Sequence, residues 1–274
     1  MKLQRGDRMQ FQSWSSFDQF EERVSRSRRY IRDAESERFL KVVAATCKKR
    51  VRVMKKGAIF YRARVGHGWD LDRNVDDPLP APRPEKEMFP PPQGATEGRV
   101  NPKGITYLYM ATTREAALSE VRPWVGSLIS VGDFEIKRDM RIINCSLFHN
   151  SDFQFYFSEP SPEEREKAVW GAIDRAFARP AGRTDDVADY AATQTLAELF
   201  RDEGYDGIFY KSAFGEKGFN LALFDLNCAN LLKCSLYEAK TLSFDFVETA
   251  NPYFVTRHLN KSVATHKLVK RKKK

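Results

Sequence analysis

The sequence has no apolar run long enough to cross a bilayer; the stretch 105–111 is among the longest, and Thr106 already interrupts it. Its opening, MKLQRGDRMQ, holds no apolar h-region, so no secretory signal peptide is expected. Cysteine is scarce. Cys47, Cys145, Cys228 and Cys234 form no C-x-x-C, and the expectation is reduced, buried thiols in a cytoplasmic protein. His67, His149, His258 and His266 lack the H-x-x-x-H and H-E-x-x-H spacings, so no metal is expected. There is no G-x-x-x-x-G-K-[ST], no G-x-G-x-x-G and no G-x-S-x-G. The two common nucleotide cradles and the hydrolase nucleophile elbow are therefore excluded.

What is present is material for a core. The chain has 274 residues, 42% hydrophobic and 12% aromatic, which rules out wholesale disorder. Its formal net charge of +9 is unevenly placed. Residues 1–56 carry +9, residues 257–274 carry +8, and the middle carries −8. A mildly acidic body lies between two basic ends.

The first segment reads as helical. Ser16 to Gln19 has capping-box spacing, and Phe17, Phe20, Val24 and Ile31 follow at helical steps. A second helix is expected over 36–54, with Phe39, Leu40, Val43 and Cys47 on its apolar face and Gly57 past its end. A strand follows over 58–64. Seven of the thirteen prolines fall within 78–92, which predicts an extended, exposed loop. Residues 66–98 are read as an insertion rather than a linker, because strand residues with chemical promise flank it. A strand over 105–111 puts Tyr107 and Tyr109 on one face. Thr112 to Glu115 has the spacing of a capping box for a short helix that carries Glu120 and stops at Pro123. Strands are expected over 128–136 and 141–146. Ser161-Pro162-Glu-Glu164 opens a helix that ends before Pro180, and another runs from about 186 to 203, capped by Gly204. Strands close the pattern at 207–212 and 219–225, joined through 215–218, with a further one at 241–247. Strands and helices mix without βαβ repetition, which points to the α+β class.

Four motifs stand in order along the middle of the chain: Phe60-Tyr61-Arg62-Ala-Arg64; GRVNPKG with Arg99; TYLYMATTREAALSEVRPW with Tyr109 and Glu120; and GYDGIFYKS with Ser212, followed by GFNLALF. Together they resemble the RES domain, a family named for an arginine, a glutamate and a serine. The resemblance covers roughly residues 57–226. It implies an ADP-ribosyltransferase-like mixed sheet core, here with an N-terminal helical unit. It also implies NAD as substrate, with no separate cofactor. Several members are toxins of toxin–antitoxin pairs that split the nicotinamide–ribose bond, and at least one branch transfers ADP-ribose to a protein. By the same resemblance Arg62, Glu120 and Ser212 would be the family's catalytic residues. Tyr61, Arg62, Arg99, Tyr109, Ser212 and Asn220 would bind the dinucleotide. The division expected is a basic helical unit over 1–56, a catalytic domain over 57–250 with its proline-rich insertion, and a basic tail over 251–274.

The residue chemistry is compatible with that expectation. A diphosphate favours the planar fork of arginine. Cleavage of the glycosidic bond builds oxocarbenium character, which a carboxylate such as Glu120 stabilises. A tyrosine face can stack on the nicotinamide ring. Ser212 would hydrogen-bond an amide or phosphate, since no paired base makes it a nucleophile. Expected partners are NAD, an antitoxin protein if the chain is a toxin, and a second copy if the N-terminal helices dimerise. No membrane contact is expected. A competing reading makes the basic ends a nucleic-acid-binding module. If they only solvate the chain, deleting 270–274 leaves nucleic-acid binding unchanged at low and at high salt; a loss confined to low salt supports the competing reading.

Overall fold

Phe17, Phe20 and Val24 recur three and four residues apart, and in the computed structural model they are the buried stripe of helix α1 (Ser16–Arg26). The structure describes residues 9–70, 77–91, 94–150, 156–180, 187–214, 217–243 and 246–247, without the side chain of Val187. Ser16 is the first helical residue rather than the cap. Its hydroxyl donates back to the Ser13 carbonyl at 2.7 Å, while Ser15 holds the cap position without capping a backbone N–H of the helix; its hydroxyl instead accepts from Gln19 Nε2 at 3.1 Å.

Helix α2 (Ala34–Thr46) starts at Asp33, whose carboxylate accepts from Ser36 N at 2.8 Å. It does not continue to residue 54. A 3₁₀ turn over Cys47–Arg50 ends it, and strand β1 (Val51–Met54) follows. The reason is a buried ion pair. Arg50 Nη2 lies 2.6 Å from both oxygens of Asp174, its Nε donates to the Asn144 carbonyl at 2.9 Å, and its guanidinium stacks 4.4 Å from the Trp170 ring. Burial pushes the Asp174 carboxyl up to about 6, against the pull of Arg50 and the Phe148 N–H. Gly57, expected past a helix end, sits at φ +84 after β1, where its N–H meets the Ile136 carbonyl at 2.8 Å.

Strand β2 (Ile59–Val65) is followed by a two-stranded sheet of β3 (Gly68–Asp70) and β4 (Leu79–Ala81). The proline-rich segment is thus more ordered than expected. Pro80 sits in a short edge strand, where its missing N–H costs no ladder bond, and one helical turn, α3 (Glu85–Met88), plants Met88 in the core. Strand β5 (Leu108–Ala111) leads to α4 (Arg114–Glu120), capped by Thr113 through Ala116 N at 3.1 Å, one residue later than the sequence spacing suggests.

Strands β6 (Leu128–Ile136) and β7 (Met140–Cys145) precede α5 (Pro162–Ala178), whose capping box at Ser161 and Glu164 is formed in both directions. A 3₁₀ turn over 187–190 enters α6 (Ala191–Asp202), whose expected beginning near 186 lies outside the described residues. Strands β8 (Gly207–Lys211), β9 (Phe219–Leu223) and β10 (Ala229–Glu238) complete the set; residues 215–216 of the connecting turn are outside the description. The described residues of 241–247 form no strand. The ladder falls instead to β10, whose apolar pattern is broken by Asn230, Lys233 and Ser235 and by a bulge between Leu231 and Lys233.

The eight-stranded sheet runs β1-β7-β8-β9-β5-β2-β6-β10, with only β7 and β8 parallel. Mixed strands with four longer helices make the α+β class expected. One face buries Phe17, Trp170, Phe177 and Phe200 under α1, α2, α5 and α6; the other buries Met88, Phe134 and Met140. Between β2 and β5 the pairing shrinks to Tyr61 and Ala111, so the sheet opens there. The chain divides into a compact unit Met1–Thr241 and a second, Leu242–Lys274, of which only residues 242, 243, 246 and 247 are described. Among the described residues no helix is long and apolar enough to cross a membrane.

Removing one partner of the buried pair leaves the other uncompensated. Asp174→Ala is expected to destabilise the fold by about 3–5 kcal/mol, read as a drop in the denaturant midpoint. A change under about 1 kcal/mol would sink this account of the α2–β1 junction.

Candidate active site

Helix α4 is only seven residues long, and Ala116 and Ala117 let it lie close to Ala111, Tyr61 and Ala63. Glu120 is its last residue. The ends of two antiparallel strands face it: Ser212 just past β8, and Asn220 in β9. Ser212 Oγ and Asn220 Nδ2 both donate to Glu120 Oε1 at 2.7 Å. Ser212 Oγ also accepts from Phe214 N at 3.1 Å, so its proton is committed to the glutamate. Two fixed donors hold one carboxylate oxygen, and among the described residues Oε2 has no hydrogen-bond partner.

Glu120 and Asn220 line a cavity of about 190 Å³. Its other polar walls are cationic: Arg99, Arg122, Arg179 and Lys211. Arg99 projects from the GRVN turn, its Nη1 donating to the Ala176 carbonyl at 2.9 Å near the C-terminal end of α5. Arg122 adopts φ +46, unusual for a residue with a Cβ, and its guanidinium stands 5.5 Å from the Phe214 ring. Lys211 Nζ donates to the Ser212 and Gly218 carbonyls at 3.1 and 3.0 Å. Aromatic walls are supplied by Phe177, Tyr210 and Phe214, and burial pushes the Tyr210 phenol well above its ordinary range.

The remaining sequence candidates stand elsewhere. Tyr109 O–H donates to Asn101 Oδ1 at 2.5 Å and accepts from Val100 N at 3.1 Å. Burial drives that phenol well above its usual value. Tyr109 therefore pins the turn that carries Arg99, and Gly98 permits the approach: a Cβ there would stand 2.9 Å from the Tyr109 hydroxyl oxygen. Arg62 Nη1 donates to the Tyr109 carbonyl at 2.9 Å where β2 and β5 separate. Among the described residues its buried Nε meets no hydrogen-bond partner, and burial, with Arg64 adding repulsion, lowers its pKa to about 10. Tyr61 lies under the Arg114 guanidinium at 4.6 Å, which pairs with Asp133 at 2.8 Å. Neither Arg62, Tyr61 nor Tyr109 lines the Glu120 cavity.

Of the sequence candidates, the structure gathers Arg99, Glu120, Ser212 and Asn220. The sequence reading missed Arg122, Arg179 and Lys211. Lys211 adjoins Ser212 and Arg122 follows Glu120 by two, so proximity to a motif was their only signal. Arg179 had none. Among the described residues no His, Cys, Asp and Glu side chains converge as a metal-binding group.

The two donors hold Glu120, and a double-mutant cycle tests that coupling. Asn220→Ala is expected to cost about 1–2 kcal/mol of stability in the wild type and close to nothing beside Glu120→Ala, as read from chemical melts. Equal costs in both backgrounds would contradict the pairing.

No curated protein matches the chain. Among solved structures, one chain of the M. tuberculosis MbcT–MbcA toxin–antitoxin complex is similar at 13% identity, covering 72% of this chain and 92% of that chain with a TM-score of 0.38. The RES domain family model matches residues 60–246, which include Arg99, Glu120, Ser212 and Asn220. That match spans well over half of the sequence, and the chain belongs to the RES domain family.

Proposed function

We propose that the protein is an NAD-consuming enzyme that cleaves the nicotinamide–ribose bond. The carrying observation is a carboxylate held by two donors in a cavity whose walls supply four cations. Cleavage of that bond leaves the ribose as an oxocarbenium ion. Glu120 Oε2 faces that charge and accepts from a ribose hydroxyl, an interaction that strengthens as the positive charge grows. Ser212 and Asn220 keep the other oxygen in place, so no reorganisation is needed when the bond breaks. Arg99, Arg122, Arg179 and Lys211 answer the diphosphate, the arginines by bidentate pairing. A volume of about 190 Å³ takes one part of a dinucleotide, with the rest running outward along the cationic rim. Arg62 in this reading acts indirectly, holding β5 through the Tyr109 carbonyl.

Family membership supports NAD as the substrate class and an antitoxin as the partner of a toxic member. ADP-ribose can leave on water, on phosphate or on a protein side chain, and the three differ only in what attacks the ribose once nicotinamide has gone. The mass of the ADP-ribose-containing product separates them.

Purified protein is expected to release nicotinamide from NAD. Glu120→Gln should lower kcat by about 10²–10³-fold with the fold intact, and Ser212→Ala by about tenfold. Wild-type protein that releases no nicotinamide overturns the activity; undiminished turnover in Glu120→Gln overturns the site.

A further inference from the structure

Helix α1 lies outside the residues matched by the family, yet it reaches the wall of the Glu120 cavity. Its buried stripe of Phe17, Phe20 and Val24 seats it against α5 and α6. Glu21 follows Phe20 at the edge of that stripe, and its Oε1 accepts from Arg179 Nη1 at 3.5 Å. Arg179 is the residue after α5 and lines the cavity. Glu21 is largely covered, with 21% of its side chain exposed, whereas Arg179 is 54% exposed. Asp18, one turn earlier, also acts on Arg179. Burial raises both carboxyls above their ordinary range, opposed at Glu21 by Arg179 and at Asp18 by Arg175 and Arg179. At the other end of α1, Arg26 pairs with Asp189 at 3.1 Å, next to Tyr190, whose ring faces Arg99. One helix from outside the family domain thus touches one cationic wall of the cavity directly and reaches a second only through Asp189 and Tyr190.

We propose that Glu21 sets the affinity of the cavity for its anionic substrate by competing with that substrate for Arg179. A 3.5 Å contact is at the long limit of a hydrogen bond, and a pair with one half-exposed member is weak. A diphosphate offers the guanidinium a bidentate partner and displaces the carboxylate. Arg179 then turns from α1 to the ligand, and every binding event first breaks the Glu21 contact. The exchange alters substrate binding and leaves the chemical step alone, because Arg179 sits on the wall rather than beside Glu120 Oε2. Glu21 is a positioning residue; it touches the arginine and not the substrate. The inference takes the identity of the substrate from the NAD reading but needs only its anionic chemistry.

The full chain is tested as wild type, Glu21→Gln, Arg179→Ala, Arg179→Lys and the double variant Glu21→Gln/Arg179→Ala. NAD cleavage and calorimetric binding of inorganic pyrophosphate are measured on each. Glu21→Gln is expected to lower KM about threefold at unchanged kcat, and Arg179→Ala to raise it about tenfold. Arg179→Lys should recover part of that loss, and Glu21→Gln should have no effect once Arg179 is alanine. Pyrophosphate affinity should follow the same order. Unchanged KM and affinity in Glu21→Gln, or equal shifts with and without Arg179, overturn the proposal. Pyrophosphate binding in this pattern without nicotinamide release overturns the NAD reading and keeps the inference. NAD cleavage with KM blind to both residues does the reverse, and neither cleavage nor binding overturns both.

Discussion

A guanidinium taken out of water has to be neutralised where it lies, and Arg50 meets that demand against Asp174. The pair ties the end of the α2 segment to the C-terminal part of α5, with the Asn144 carbonyl of β7 as a third anchor. Fixing α5 in this way has consequences in the residues just beyond the pair. There the Ala176 carbonyl holds Arg99 and the next-but-two residue is Arg179, so two of the four cations around the cavity are placed by one helix. Core packing and the placement of the cavity's cations are therefore joined through one helix.

The charge distribution takes on meaning in this frame. The middle of the chain is net acidic, yet its cavity is walled by arginine and lysine around one glutamate. The net charge of this middle segment and that of its cavity walls have opposite signs, and at contact distance the walls dominate. The commitment of the Ser212 proton to Glu120 has a similar selectivity. The hydroxyl donates to Glu120 Oε1 and accepts from Phe214 N, so it bridges the end of β8 and the carboxylate.

Much of this was legible in the sequence where the signal is local. The Ser161–Glu164 capping box, the β6 strand and the α+β class follow from spacing alone, because caps and periodicity act within one turn or one strand. Glu120, Ser212 and Asn220 were readable as motif members, though not their mutual hydrogen bonds. Where long-range contacts decide, the reading failed. The helix expected to reach residue 54 is cut short by a partner 124 positions away, and β10 exists because β6 offers it an edge. Tyr109 reads as a binding residue in sequence, and in the fold its phenol also bonds the turn that carries Arg99, a contact that no local spacing signals. Arg179 left no trace, since nothing near it in the chain marks it as facing a cavity.

The outermost strand of the described sheet, β10, runs for ten residues and leaves its far side unpaired by any other described strand. Such a border invites sheet-to-sheet growth between molecules. The bulge between Leu231 and Lys233 interrupts the straight run of donors and acceptors in its first half, and Lys233 is exposed at that break. An incoming strand would have to match an irregular ladder and desolvate an ammonium together. The irregularity that hid β10 from a reading of its pattern thus serves as a guard against aggregation.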